Sequence, residues 1–198
     1  MSYASQRKSS GFSLIELLIT LGILIITLTI ALPGFREFFD RERLINATEE
    51  VYGMLQKARM ESMARSDEIY VNVKVASDSS SWSYGLREGT PCDPSIDNPD
   101  PSACVITIIN GDGNDDGTDV ADKVWMRQTN EPHPDIALSL PSLLQDFEFK
   151  FDPIRGTATT GEITLTSALG KELRVEVMPL GNIRVCSPDG QIPSYRDC

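Results

Sequence analysis

The chain has 198 residues and a formal net charge of −11. An acidic balance of this size repels phosphate backbones and anionic lipid heads, which argues against nucleic acid as a natural partner. Beyond a helical first third there is room for one modest globular domain with its own core, and not for a second.

Residues 1–11 form a short leader containing Arg7 and Lys8, and an apolar run follows from Phe12 to Leu32. As a helix that run is about 31 Å long at 1.5 Å per residue, which matches the hydrocarbon thickness of a bilayer. Its one ionisable side chain is Glu16. A charge near the hydrocarbon core costs about 2.5–3.5 kcal/mol even on lenient scales, so this carboxylate needs a partner. Cleavage after Gly11 would supply one, because Phe12 would then carry an α-ammonium one helical turn from Glu16. In a bundle of such helices, the ammonium of one neutralises the carboxylate of its neighbour.

A leader ending in Gly11, then Phe12, with Glu16 at the fifth mature position and Pro33 near the twenty-second, resembles the class III signal of type IV pilins and pseudopilins. The resemblance implies cleavage by a prepilin peptidase, N-methylation of Phe12 and subunit docking through Glu16. It also implies an N-terminus in the cytoplasm, anchorage in the inner membrane before assembly and a periplasmic head that later becomes part of an extracellular filament. Charge bias does not orient the segment, since Arg7 and Lys8 on one side face Arg36, Arg41 and Arg43 on the other.

Helical periodicity continues past the apolar run. Leu44, Thr48, Val51, Leu55, Ala58 and Ser62 recur at steps of three and four, an apolar stripe that needs a covering surface. The helix is expected to run from Phe12 to about Arg65, with 12–33 as its membrane or filament-core half and 34–66 as its amphipathic half. Pro33 should kink it, because proline removes a backbone donor and clashes with the preceding turn. The kink reads equally as a break at the membrane boundary or as a hinge that fits a curved filament.

From residue 67 to 198 the period changes to that of strands. Ile69, Val71, Val73 and Val75 alternate with polar residues, and so do Trp82-Tyr84-Leu86, Phe147-Phe149-Phe151, Ile163-Leu165 and Leu173-Val175-Val177. Shorter strands are expected over 105–109, 124–127, 136–140 and 183–186. No helical pattern separates them, so the expected fold is α+β, one long N-terminal helix on an antiparallel sheet. The Val and aromatic stripes read as core.

Four cysteines fall in two equally spaced pairs, Cys92/Cys104 and Cys186/Cys198. Two small disulfide loops are the natural reading, although three pairings are open, and disulfides place the head outside the cytoplasm. Between Asn110 and Asp119 lies the D-x-N-x-D-G spacing of a calcium loop, with Asp112, Asn114, Asp116, Thr118 and Asp119 as candidate ligands. The closing Glu is absent, and a metal-free Gly/Asp hairpin is an equal reading. No other cofactor is expected. His133, between two prolines, belongs to no catalytic spacing, and no enzymatic motif is present.

The segments 147–156, 161–165 and 181–186 resemble the FimT/FimU/GspH group of minor pilins and pseudopilins. That resemblance implies a minor subunit that primes or caps a filament, with other minor pilins and the major pilin as partners. The type II secretion pseudopilus is the alternative setting. Some FimT-like proteins bind DNA through Gly-Arg-x-Arg; here the motif reads Gly181-Asn182-Ile183-Arg184, and DNA is not expected to bind. The Pro- and Asp-rich loop between Cys92 and Cys104 is the candidate surface if the head is an adhesin.

Overall fold

A computed structural model of the protein describes residues 12–77, 79, 81–97, 100–107 and 123–198. Among these residues the helix α1 spans Leu14–Arg65, and ten strands follow: β1 Ile69–Val75, β2 Trp82–Glu88, β3 Val105–Thr107, β4 Lys123–Trp125, β5 Arg127–Thr129, β6 Ala137–Ser139, β7 Asp146–Phe151, β8 Gly161–Thr166, β9 Glu172–Val177 and β10 Ile183–Cys186. Every pairing between these strands is antiparallel. They make two four-stranded sheets, ordered β5-β2-β1-β7 and β10-β9-β8-β6, and a β3-β4 ribbon. The α+β architecture is the expected one.

The chain forms two compact units, Met1–Phe39 and Asp40–Cys198. The second holds the core. The predicted stripe is what the helix buries: Leu44, Thr48, Val51, Leu55, Ala58 and Ser62 are all at most 1% exposed. The two hydroxyls in that stripe cost nothing, because Thr48 donates to the Leu44 carbonyl at 2.7 Å and Ser62 to that of Arg59 at 2.8 Å. Against the stripe lie the inward residues of both sheets, among them Ile69, Val71, Phe149, Phe151, Ile163, Leu173 and Val175. Two-residue alternation sends these side chains inward and leaves Asn72, Lys74, Glu148 and Lys150 on the outer face. Tight turns closed by Gly170 and Gly181, both at positive φ, join β8 to β9 and β9 to β10.

The structure changes several expected boundaries. The single strand expected over 124–127 is two, because the chain changes partner at Met126: its N–H donates to Cys104 while its carbonyl accepts from Leu86. β4 therefore pairs with β3 and β5 with β2. The strand expected over 136–140 shrinks to Ala137–Ser139, since Leu140 leads directly into a 3-10 turn at Pro141–Leu143.

Candidate functional site

The described residues of the first unit are helical from Leu14 and bury no core among themselves. Every large apolar side chain from Phe12 to Phe39 for which exposure is defined is solvent-facing, from 46% at Leu21 to 81% at Phe12. A face this large needs lipid or other helices around it. Its polar groups are satisfied internally: Thr20, Thr27 and Thr29 donate to carbonyls three or four residues back. Glu16 lies in the first turn, where a negative charge complements the helix dipole. Phe12 is the residue preceding Ser13, whose carbonyl accepts from Leu17. Gly11, the other side of the expected cleavage point, lies outside the described residues.

The helix bends at residues 31–33. By length and composition no single helix is long and apolar enough to cross a membrane, and Leu14–Ile30 and Gly34–Arg65 qualify only together, as an interrupted span. The break lies at the C-terminal end of the apolar run Phe12–Leu32. The physical reason is Pro33, which cannot donate to the preceding turn.

In the head, disulfides join Cys92 to Cys104 and Cys186 to Cys198, each with Cα atoms 5.0 Å apart. The first loop is fastened across the outer face of the β5-β2-β1-β7 sheet. Lys74 holds Asp93 at 2.5 Å, Arg127 holds Asp97, Arg87 donates to the Pro101 carbonyl at 2.6 Å, and Asn72 accepts from the Cys92 amide at 3.0 Å. Burial works against the Asp93 carboxylate, but the hydrogen bonds from Lys74 and Ser95 outweigh it and hold its pKa below the ordinary value. Clefts of about 410 and 260 Å³ flank the loop, and Lys74 lines both. The close approach of Cys104 explains Gly85: a Cβ there would lie 2.6 Å from that of Cys104.

The second disulfide closes the C-terminal loop against α1. Tyr195 donates to Glu49 at 2.6 Å, Arg41 donates to Ser194 at 2.9 Å, and Ile192 is fully buried. Glu176, Cys186 and Cys198 converge near this disulfide, but both sulfurs are already bonded to each other.

Other residues singled out from the sequence have ordinary structural partners. Arg184, the basic residue of the 181–184 motif, donates to its cross-strand neighbour Glu176 at 2.6 Å. His133 bonds Glu50 of α1 at 2.8 Å and so ties the β5–β6 loop to the helix, a contact that no spacing signal announces. Asp112, Asn114, Asp116, Thr118 and Asp119 lie outside the described residues. Sequence reasoning also missed the group Glu68, Tyr70 and Lys150. Tyr70 donates to Glu68 at 2.9 Å and Lys150 pairs with it at 2.6 Å, and these bonds hold the Glu68 pKa below its ordinary value. Tyr70 and Lys150 stand opposite each other in the β1–β7 register, which becomes visible once the strand pairing is known.

A family model described as type II transport protein GspH matches residues 47–181, and a model of the prokaryotic N-terminal methylation motif matches residues 6–32. Among solved structures, the chain is similar to the type IV minor pilin FimU of Pseudomonas aeruginosa strain PAO1, at 16% identity over 75% of this chain and 91% of that one, with a TM-score of 0.45. It is also similar to the minor pseudopilin EpsH of the type 2 secretion system of Vibrio cholerae, at 11% identity over 74% of this chain and 98% of that one, with a TM-score of 0.42. No curated protein sequence matches.

Proposed function

The chain belongs to the GspH family of type II transport proteins and carries the N-terminal methylation motif, and from that membership we propose that it is a minor pilin of a type IV pilus. The observation that carries the reading is the N-terminal part of α1, whose large apolar side chains from Leu14 to Leu32 are exposed all round and whose first turn carries a single carboxylate, Glu16. Such a helix is built to exchange lipid for the helices of other subunits. In this proposal a prepilin peptidase cuts between Gly11 and Phe12, and the new Phe12 nitrogen is methylated. The protein waits in the inner membrane with its head in the periplasm, then enters the filament beside other minor pilins and the major pilin. Glu16 of one subunit accepts the Phe12 ammonium of its neighbour, which removes two charges from an apolar core at once. Bending at Pro33 adapts the helix to its surroundings. In this proposal the role is structural.

The experiment is recovery of the protein with sheared, washed surface filaments, using Glu16→Ala for comparison. Wild type should co-purify with pili, whereas the variant, processed and folded, should be reduced at least tenfold in the filament fraction. Normal incorporation of Glu16→Ala would refute the docking role. The description of the family favours a second reading, a minor pseudopilin of a type II secretion system. Absence from surface pili, together with impaired release of secreted enzymes in a deletion strain, would select it.

A further inference from the structure

Among the described residues, the head has an edge whose backbone is unpaired in a regular pattern. Residues 123–129 run as one extended stretch, interrupted only by the change of partner at Met126. Met126 donates to Cys104 and accepts from Leu86, and Asn130 donates to Trp82, so the even-numbered residues direct their backbone groups into the sheets. The N–H and C=O groups of Lys123, Trp125, Arg127 and Thr129 therefore point away from β2 and β3. No ladder strand covers them among the described residues, because β5 ends the order of its sheet and β4 that of the ribbon. At about 3.3 Å per residue this edge is about 23 Å long, enough to template another strand.

We propose that this edge pairs, antiparallel, with the same edge of a second copy of the chain. The occupant follows from self-complementarity. An antiparallel pairing centred on Met126 sets Trp125 opposite the second copy's Arg127 and Lys123 opposite its Thr129, so every outward N–H meets an outward C=O. Centring on Arg127 opposes two guanidinium groups, and centring on Trp125 leaves Thr129 facing a residue beyond the strand. The side chains favour the first register as well. Trp125 is 45% exposed, and the Arg127 guanidinium lies 5.5 Å from its ring centroid. Pairing about Met126 brings two Trp-Arg stacks together across the new strand boundary.

A two-strand contact buries less than the roughly 1,200 Å² of a stable interface, so the dimer is weak in solution. Tethering both copies in one membrane raises their effective concentration and favours it. The charge of −11 on each copy opposes association, and salt screens that repulsion.

The test uses the full chain in detergent micelles, by sedimentation equilibrium over a range of protein and salt concentrations with amide exchange read at Trp125, Arg127 and Thr129. Association should rise with both concentrations, and exchange at the three amides should slow at least tenfold as the dimer forms. Thr129→Pro removes an outward N–H without breaking a ladder bond, so it should fold normally and weaken association at least tenfold, while Thr129→Ala should not. The proposal is overturned by association that Thr129→Pro leaves unchanged, which would assign it to the apolar helices. It is equally overturned if the three amides exchange slowly in the dilute monomer, which would show that the chain covers its own edge.

Discussion

At the scale of single residues, the head is tuned by cations placed on carboxylates of its outer face. Asp93 is the sharpest case, because burial alone would push its pKa up and the hydrogen bonds from Lys74 and Ser95 together reverse the sign. A carboxyl held below its ordinary value stabilises the fold above that value, and the contribution disappears as pH falls through the lowered one. Glu68, held down by Lys150 and Tyr70, follows the same sign. Lys74→Met should therefore raise the Asp93 pKa, since the strongest influence holding it down is then gone, and should move the loss of loop order toward higher pH. Side-chain NMR titration of Asp93 in both proteins reads this directly, and an unchanged Asp93 midpoint would show that Lys74 does not control it. None of these pairs is evident along the chain. Lys74 and Asp93 come from different elements, and only folding the disulfide loop onto the sheet brings them within 2.5 Å.

At the scale of elements, α1 and the C-terminal loop depend on each other in different degrees. The buried stripe of α1 is legible from its three- and four-residue steps, because a helix repeats every 3.6 residues and one face must meet the sheet. The loop after β10 has no such periodicity. It is held by the Cys186–Cys198 bond, by Ile192 in the core and by the contacts of Ser194 and Tyr195 with α1. A loop of this size constrains the unfolded chain by about 3 kcal/mol. The double variant Cys186→Ser/Cys198→Ser should lose about 2–4 kcal/mol of stability in urea denaturation, with faster amide exchange at Tyr195. A change below 0.5 kcal/mol would mean that Ile192 and the helix contacts hold the loop unaided. Strand alternation located most of the sheet, but not the switch at Met126. That switch depends on which neighbour is beside each half of the strand, and local pattern carries no information about neighbours.

At the scale of the molecule, charge and apolar surface are segregated along the chain. The exposed apolar helix occupies one end of the sequence, while residues 40–198 carry a net charge of −12, more than the whole excess of the chain, because residues 1–39 are net +1. With Arg184 occupied by Glu176, the head offers phosphate no concentrated cation site at the 181–184 motif. The full chain should therefore leave double-stranded DNA unretarded at 50 mM salt in a gel-shift assay, and salt-sensitive retardation would reopen a nucleic-acid role. Sequence by itself determined the apolar N-terminal helix, the carboxylate at Glu16, the helical stripe and the antiparallel class, because each depends on composition or on a period within one element. Only the tertiary structure decided how the sheet divides in two, which carboxylate each cation meets, how the disulfide loops lie against the head and which strand edge is open among the described residues. Those features are set by contacts between residues far apart in the chain, whose distances no local pattern contains.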